Sequence, residues 1–262
     1  MRILIAAKYM PTGPNPIGGV QSWCATVADE LKRIGHDVEL WQPGFDRPEG
    51  RFGFGILANW MHTEGVSGLC DRFVAMSHGI IPEERPPSGW DVVFTSEGVR
   101  DHWRMDGRII RQPINLGFWS GPGSRDRRGL VRYSYRSGLS WLSDVAADIG
   151  MSFTHARNFS HAKARVLLSS AACVLASGRA ALEAMACGAP VVICDHRSTY
   201  QGALMDLDTR GAMTRNYSGR GGIEPTRQNV RDAVTAAMLR GGDVDHVRTH
   251  HDARRIVKEL LQ

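Results

Sequence analysis

The residues that begin at Ser177 combine an anion-binding pattern with a charged helical face. Ser177 and Gly178 predict the start of a helix, because a hydroxyl caps a first turn and a glycine lets a ligand approach the backbone closely. N–H groups at a helix start attract anions, and Arg179 adds a positive charge there. Glu183 lies four residues later on the same face, within reach of the hydroxyl groups of a ligand whose phosphates bind at the helix start. The same pattern also fits an ordinary Arg–Glu pair on a structural helix.

The surrounding residues predict the elements that would position this group. Residues 179–187 favour a helix, Gly188 ends it and Pro190 prevents it from resuming. The apolar run 191–194 predicts a buried strand, and a similar run over 173–175 predicts the strand before the helix. The stretch is therefore half of a βαβ unit.

The sequence L-E-A-M-A-C-G-A-P-V-V over 182–192 resembles the donor-binding segment of GT-B glycosyltransferases, which reads E-A-M-A-x-G-x-P-V-V. The resemblance implies that Glu183 binds the ribose of a nucleotide-sugar, with a UDP-sugar expected, and that Ser177, Gly178 and Arg179 contact its diphosphate. Many retaining members carry a second glutamate eight positions earlier, where this chain has Leu175. The chain therefore resembles a variant branch, and the stereochemistry of transfer stays open.

The beginning of the chain carries a second resemblance. A strand over 2–7 is followed by a loop that ends at Gly18 and Gly19, then by a helix over 20–34 and a strand over 37–41. GT-B glycosyltransferases commonly begin in this order, which implies that Gly18 and Gly19 approach the donor phosphate and the acceptor. Taken without that resemblance, a glycine pair indicates a flexible turn.

Polar residues follow two further predicted strands, over 72–76 and 91–95. His78 comes after the first strand, and Ser96 and Glu97 come after the second. Open α/β sheets bind ligands beyond the carboxyl ends of their strands, so these three side chains are candidates for the acceptor side of a cleft. His78 is the best candidate for a general base, because imidazole titrates near neutral pH. It would equally suit a hydrogen bond in a turn. The pattern of residues 57–69 is ambiguous.

Glycine, proline and charge concentrate at residues 116–128, which predict a boundary between two domains. We expect an α/β protein with two Rossmann-like, doubly wound domains facing a cleft: an acceptor-side domain over 1–116 and a nucleotide-sugar domain over 117–250. A closing helix over 251–262 would pack on the first domain, as it often does in GT-B proteins. Arg132 and Arg136 follow the first strand of the second domain, where the family keeps basic residues for the diphosphate. Arg136, nearest the strand end, is the candidate ligand.

No histidine or cysteine cluster has metal-ligand spacing. Asp243 and Asp245 match a D-x-D metal motif, but they stand between two predicted helices and follow no strand. The five cysteines include no C-x-x-C pair, which indicates reduced, buried thiols and a cytoplasmic protein. No apolar run reaches the ~20 residues of a membrane span. The net charge of +5 is compatible with an anionic donor, with nucleic acid or with an acidic membrane surface.

The sequence therefore predicts a glycosyltransferase that needs no metal and no cofactor. Its partners would be a nucleotide-diphosphate-sugar donor and an acceptor hydroxyl on a glycan or a small molecule. One alternative is the same chemistry on a hydroxylated base in DNA, as in phage-type enzymes, with the base flipped out of the duplex. This alternative is favoured by arginines in two predicted loops, namely Arg125, Arg127, Arg128, Arg215 and Arg220. Another alternative is a protein that binds or epimerises nucleotide-sugars.

Overall fold

The computed structural model describes residues 1–11, 18–121, 127–134, 139–195, 204–206, 208 and 211–262. The chain forms two compact units: Met1–Pro113 together with Ala253–Gln262, and Ile114–Asp252. The sequence analysis put the first boundary after residue 116. The chain leaves the first unit three residues earlier, because Leu116 and Trp119 are buried in the core of the second unit.

The first unit contains a parallel sheet of six strands in its described part, in the spatial order β2-β1-β3-β4-β5-β6. Ile3, Leu4 and Ile5 have no solvent exposure, as expected for a strand covered on both faces. The strands are β1 (Arg2–Ala6), β2 (Asp37–Trp41), β3 (Phe54–Ala58), β4 (Phe73–Ser77), β5 (Val92–Phe94) and β6 (Arg108–Ile109).

The described part of the first unit contains three α-helices, α1 (Gly19–Arg33), α2 (Glu97–Trp103) and α9 (Ala253–Leu260). Ile256 and Leu260 of α9 are fully buried, and they share a core cluster with Trp23 and Val27 of α1. The C-terminal helix therefore completes the core of the first unit, although it lies far from that unit in the sequence.

The second unit contains a sheet of five strands in its described part, in the order β11-β10-β9-β7-β8, with β11 antiparallel to β10 and the other pairs parallel. Its strands are β7 (Leu130–Tyr133), β8 (Phe153–Ala156), β9 (Cys173–Ala176), β10 (Val191–Asp195) and β11 (Leu204–Asp206). Its helices are α3 (Leu116–Trp119), α4 (Leu142–Asp148), α5 (His161–Ser170), α6 (Arg179–Ala186), α7 (Arg227–Arg240) and α8 (Val244–His251).

Each sheet has a point where the strand order reverses. In the first unit the chain moves from β1 to β2 on one side, and β3 then pairs with the other side of β1. In the second unit the corresponding strand is β7, which lies between β8 and β9. Open α/β sheets bind ligands beyond the carboxyl ends of the strands at such reversals. The two confirmed Rossmann-like units therefore each offer one candidate ligand edge.

Candidate functional site

The loop between β9 and α6 lies at the strand-order reversal of the second unit. It consists of Ser177 and Gly178, and α6 begins at Arg179 as the sequence predicts. The predicted cap by the Ser177 hydroxyl is wrong, because the capping position is Gly178 and no side chain caps the first turn in the described residues. Gly178 has a φ of 58° and a ψ of −136°, a conformation that favours glycine. Its N–H donates to the carbonyl oxygen of Tyr217 at 2.6 Å. Because that N–H is engaged, an anion at this helix start would contact the N–H groups that follow it.

Arg179 and Glu183 form an ion pair inside the second unit. The Arg179 Nε donates to Glu183 Oε1 at 2.9 Å, and the two side chains are 5% and 4% exposed. The hydroxyl of Tyr133, at the end of β7, donates to Glu183 Oε2 at 3.0 Å. Each carboxylate oxygen thus already accepts one bond from the protein. A ribose hydroxyl would have to use a remaining lone pair or replace Tyr133.

Tyr133 is a site residue that the sequence analysis missed. Burial, followed by the neighbouring negative charge of Glu183, raises the pKa of Tyr133 well above its usual value, so its hydroxyl stays a proton donor at neutral pH. The signal that could have found it is its position at the last residue of β7, beside the strand-order reversal.

Of the two arginines predicted near this edge, the structure describes Arg132 but not Arg136. Arg132 is 1% exposed, and its Nη1 donates to the carbonyl oxygen of Cys194 in β10 at 3.4 Å. This contact holds the Arg132 guanidinium inside the second unit. Arg136, the predicted diphosphate ligand, lies outside the described residues, and its role stays a prediction.

In the first unit, His78 follows β4 directly. Its backbone N–H donates to Glu84 Oε2 at 3.0 Å, and its carbonyl oxygen accepts from Thr95 Oγ1 at 3.4 Å. Its half-buried ring meets the Trp23 ring edge to face, with the centroids 5.0 Å apart. The backbone of His78 is therefore held by the turn, and its proposed role as a base stays a prediction.

Two further polar residues at this edge were not predicted. Asn59 follows β3 with a φ of 53°, and its Nδ2 donates to Glu84 Oε1. The backbone N–H of Lys8, just after β1, donates to Asn59 Oδ1 at 3.4 Å. The 5% exposed Glu84 thus ties the ends of β3 and β4 together beside the strand-order reversal. The sequence did not reveal this cluster because β3 fell at the edge of the ambiguous segment.

Ser96 caps α2, and Glu97 is the first residue of that helix. Ser96 is fully buried, and its Oγ accepts the N–H of Val99 at 3.3 Å. Glu97 Oε2 accepts from Arg111 Nη1 at 2.7 Å. Partial burial acts to raise the pKa of Glu97, but the hydrogen bond and charge of Arg111 outweigh it and lower the pKa. A role for either residue in acceptor binding stays a prediction.

Gly18 is the capping residue of α1 and Gly19 is its first residue, immediately after residues 12–17, which the structure does not describe. A Cβ on Gly18 would meet only the flexible end of Gln21, at 2.5 Å from its Oε1, and a Cβ on Gly19 would have nothing within 4 Å. Packing among the described residues therefore does not explain Gly19, which is compatible with the predicted approach of a ligand.

The D-x-D match has a structural explanation. Asp243 caps α8 by accepting the N–H of His246 at 3.3 Å, and Asp245 pairs with Arg248. Within the described ranges, no group of three or more histidine, cysteine or acidic side chains is placed to hold a metal. All five cysteines are buried thiols that take no part in disulfides. None of the described helices has the length and apolar character needed to cross a membrane.

The arginines that favoured a DNA acceptor are only partly available as a charged surface. Arg127 Nη1 and Nη2 donate to the carbonyl oxygens of Ala171 and Cys187, at 3.3 and 3.4 Å. Arg215 and Arg220 are half-buried, and Arg125 lies outside the described residues. Arg128 is exposed.

The fold is similar to that of solved glycosyltransferase structures. AviGT4, a glycosyltransferase involved in avilamycin A biosynthesis, is 16% identical with a TM-score of 0.59, over 99% of this chain and 96% of its own. Sucrose-phosphate synthase from Thermosynechococcus elongatus is 13% identical with a TM-score of 0.61, over 100% and 97%. An alpha-glucosyltransferase in complex with UDP and DNA containing an HMU base is 10% identical with a TM-score of 0.55, over 100% and 98%.

At these identities the likeness shows the fold, which is the GT-B arrangement of two Rossmann-like units in one chain. No protein-family model matches the sequence, and no curated protein matches it either.

Proposed function

We propose that this protein is a glycosyltransferase that moves a sugar from a nucleotide-diphosphate donor to an acceptor hydroxyl. The observation that carries the proposal is the α6 start at the strand-order reversal of the second unit, where Ser177, Gly178 and Arg179 precede Glu183. The similar solved structures support the proposal, because they include glycosyltransferases and the match covers almost the whole length of both chains. The E-A-M-A segment adds the resemblance to a donor site.

In the proposed reaction the acceptor oxygen forms a bond to the anomeric carbon of the sugar. The bond between that carbon and the diphosphate oxygen breaks, and its electron pair leaves with the nucleotide diphosphate. The acceptor proton passes to His78, whose imidazole suits a base near neutral pH. The negative charge of the leaving diphosphate is stabilised by the N–H groups at the start of α6 and by nearby arginine, with Arg136 as the candidate. We propose that no metal ion or cofactor takes part.

We propose a glycan or small-molecule hydroxyl as the acceptor. A hydroxylated base in DNA is the second candidate, which is favoured by the net charge of +5 and by the similar alpha-glucosyltransferase bound to UDP and DNA. The internal carbonyl contacts of Arg127 weigh against a basic rim in the predicted linker. If DNA is the acceptor, each neutralised phosphate should contribute roughly −0.9 to the slope of log affinity against log salt.

The proposal is tested by incubating the protein with a panel of nucleotide-sugars and acceptors, and by following product mass and free nucleotide diphosphate. His78→Ala should abolish transfer, whereas His102→Ala, an exposed position on α2 of the same unit, should leave it unchanged. Release of diphosphate with a new acceptor adduct supports the proposal. Conversion of a donor to its epimer without an acceptor, or tight binding without turnover, would contradict it.

The two acceptor candidates are separated by ionic strength. If the acceptor is a neutral glycan or small molecule, duplex DNA that contains hydroxymethylated bases should show no measurable binding even at low salt, and acceptor affinity should be almost indifferent to ionic strength. Steeply salt-dependent binding together with glucosylated DNA would instead favour the second candidate.

A further inference from the structure

The side chains of Tyr217, His246 and His251 form a buried cluster next to the loop that precedes α6. The hydroxyl of Tyr217 lies 2.6 Å from His246 Nε2 and 2.8 Å from His251 Nε2. The three residues are 1%, 6% and 1% exposed, and both imidazoles belong to α8. A phenol both donates and accepts, so the two contacts are satisfied together when one imidazole presents its lone pair and the other its N–H.

The backbone of Tyr217 has a conformation that is uncommon for a residue with a side chain. Asn216 and Tyr217 both have a φ of 54°, in the left-handed region. Tyr217 N–H donates to the carbonyl oxygen of Ala212 at 2.8 Å, and its own carbonyl oxygen accepts the N–H of Gly178 at 2.6 Å. Residues persist in such conformations where surrounding contacts hold them, and these positions are concentrated at ligand sites.

Tyr217 makes both the side-chain contacts with the two imidazoles and the backbone contact with Gly178. The imidazoles hold the Tyr217 side chain, this side chain limits the backbone to one conformation, and the carbonyl oxygen then orients Gly178. Gly178 is the residue before the first turn of α6, where its own φ of 58° sets the direction of the helix start. The packing of Val247 of α8 and Leu182 of α6 in the same core cluster brings the imidazoles close enough to do this.

We infer that Tyr217 is a positioning residue for the nucleotide-diphosphate donor, acting through the Gly178 N–H, and that His246 and His251 hold its hydroxyl. The inference rests on the proposed function, because it names what keeps the diphosphate-binding N–H groups in place before the donor arrives. Preorganised N–H groups bind an anion without a further ordering cost, so a loosened loop should weaken donor binding.

The test is Tyr217→Phe, which removes the hydroxyl and keeps the ring. Its matched control is Val234→Ala, which removes buried apolar volume from α7, in a core cluster that does not contain Tyr217. We expect Tyr217→Phe to raise the dissociation constant for UDP about tenfold, and also to shift the Gly178 amide signal and speed its hydrogen exchange. Val234→Ala should lower the melting temperature while leaving UDP affinity and the Gly178 signal close to wild type.

The inference is overturned if Tyr217→Phe binds UDP as tightly as the wild type with an unchanged Gly178 amide. It is equally overturned if Val234→Ala weakens UDP binding as much, because lost stability would then explain both variants. Should Tyr217→Phe fail to fold, His251→Phe replaces it, because it keeps a ring and removes one of the two contacts of the hydroxyl. Weaker UDP binding with a shifted Gly178 amide signal then supports the inference, and wild-type values of both overturn it. A wild-type protein that binds no nucleotide would refute the proposed function, while the Gly178 amide would still test the role of the hydroxyl.

Discussion

Replacement of Glu183 by alanine tests the buried pair at the candidate donor site. Helix propensity predicts a well-folded variant, because alanine gains at most about 0.7 kcal/mol in a helix interior. The tertiary structure predicts the opposite. Arg179 and Glu183 are 5% and 4% exposed, and removing one member of a buried pair costs about 3–5 kcal/mol. Tyr133 also loses its acceptor, so the unfolding free energy should fall by roughly 3–5 kcal/mol in total.

The assay is urea unfolding followed by circular dichroism, with thermal unfolding as a second measure. For a domain of this size each kcal/mol lowers the melting temperature by about 2–4 °C, so a decrease of roughly 6–20 °C is expected. The matched control is Glu259→Ala, which removes the carboxylate of an i,i+4 pair with Arg255 on α9, where the side chains are 48% and 41% exposed. That change should cost less than about 1 kcal/mol.

A loss below about 1 kcal/mol for Glu183→Ala, equal to that of Glu259→Ala, would refute the reasoning from burial. The result also decides how the donor role of Glu183 is measured. If Glu183 binds the ribose, loss of its charge-assisted hydrogen bonds should lower donor affinity about 10- to 150-fold, equivalent to about 1.5–3 kcal/mol. If Glu183→Ala is strongly destabilised, this loss is measured in Glu183→Gln. That variant keeps the shape of the side chain and an acceptor for Tyr133.

Three further predictions concern two buried thiols, the Glu97 carboxylate and the need for a metal ion. Burial raises the pKa of Cys70 and Cys187 to about 11, so a thiol reagent at pH 8 should label both far more slowly in the native protein than in urea; equal rates would contradict their burial. The pKa of Glu97 is lowered in the folded protein, so its pairing with Arg111 stabilises above the ordinary carboxyl pKa and loses this effect as the pH falls towards the lowered value. Glu97→Gln should therefore be less stable than wild type near pH 7, and urea unfolding should show the difference shrinking below about pH 4. Transfer activity should persist in excess EDTA, and a loss restored by manganese would return attention to Asp243.

Local sequence was sufficient for the elements that carry the candidate donor site. The start of α6 is set by Gly178 and a run of good helix formers, and its end by Gly188, all of which act within a few residues. The apolar runs of β1, β9 and β10 are visible because strands covered on both faces must be apolar throughout. These signals predicted two doubly wound units and an Arg–Glu pair on one helical face.

Central strand β3 shows where local pattern was insufficient. Phe54–Ala58 contains Gly55, which weakens a strand pattern, and the reason for this glycine lies in another part of the chain. A Cβ there would lie 2.5 Å from Cys70 Sγ and 3.0 Å from Phe73 Cβ. The close approach of β4 therefore requires the glycine, and no periodicity within residues 54–58 records that requirement.

At the candidate site, too, the sequence predicted some features and the tertiary structure decided the others. The sequence placed Glu183 and Arg179 on one helical face, because four residues make about one helical turn. Only tertiary structure buried the pair, brought the Tyr133 hydroxyl to Glu183 across 50 residues of sequence, and placed the Tyr217 carbonyl oxygen on the Gly178 N–H. Helix starts and faces depend on neighbours along the chain, whereas burial and hydrogen-bond partners depend on which strands pair and which helices cover them.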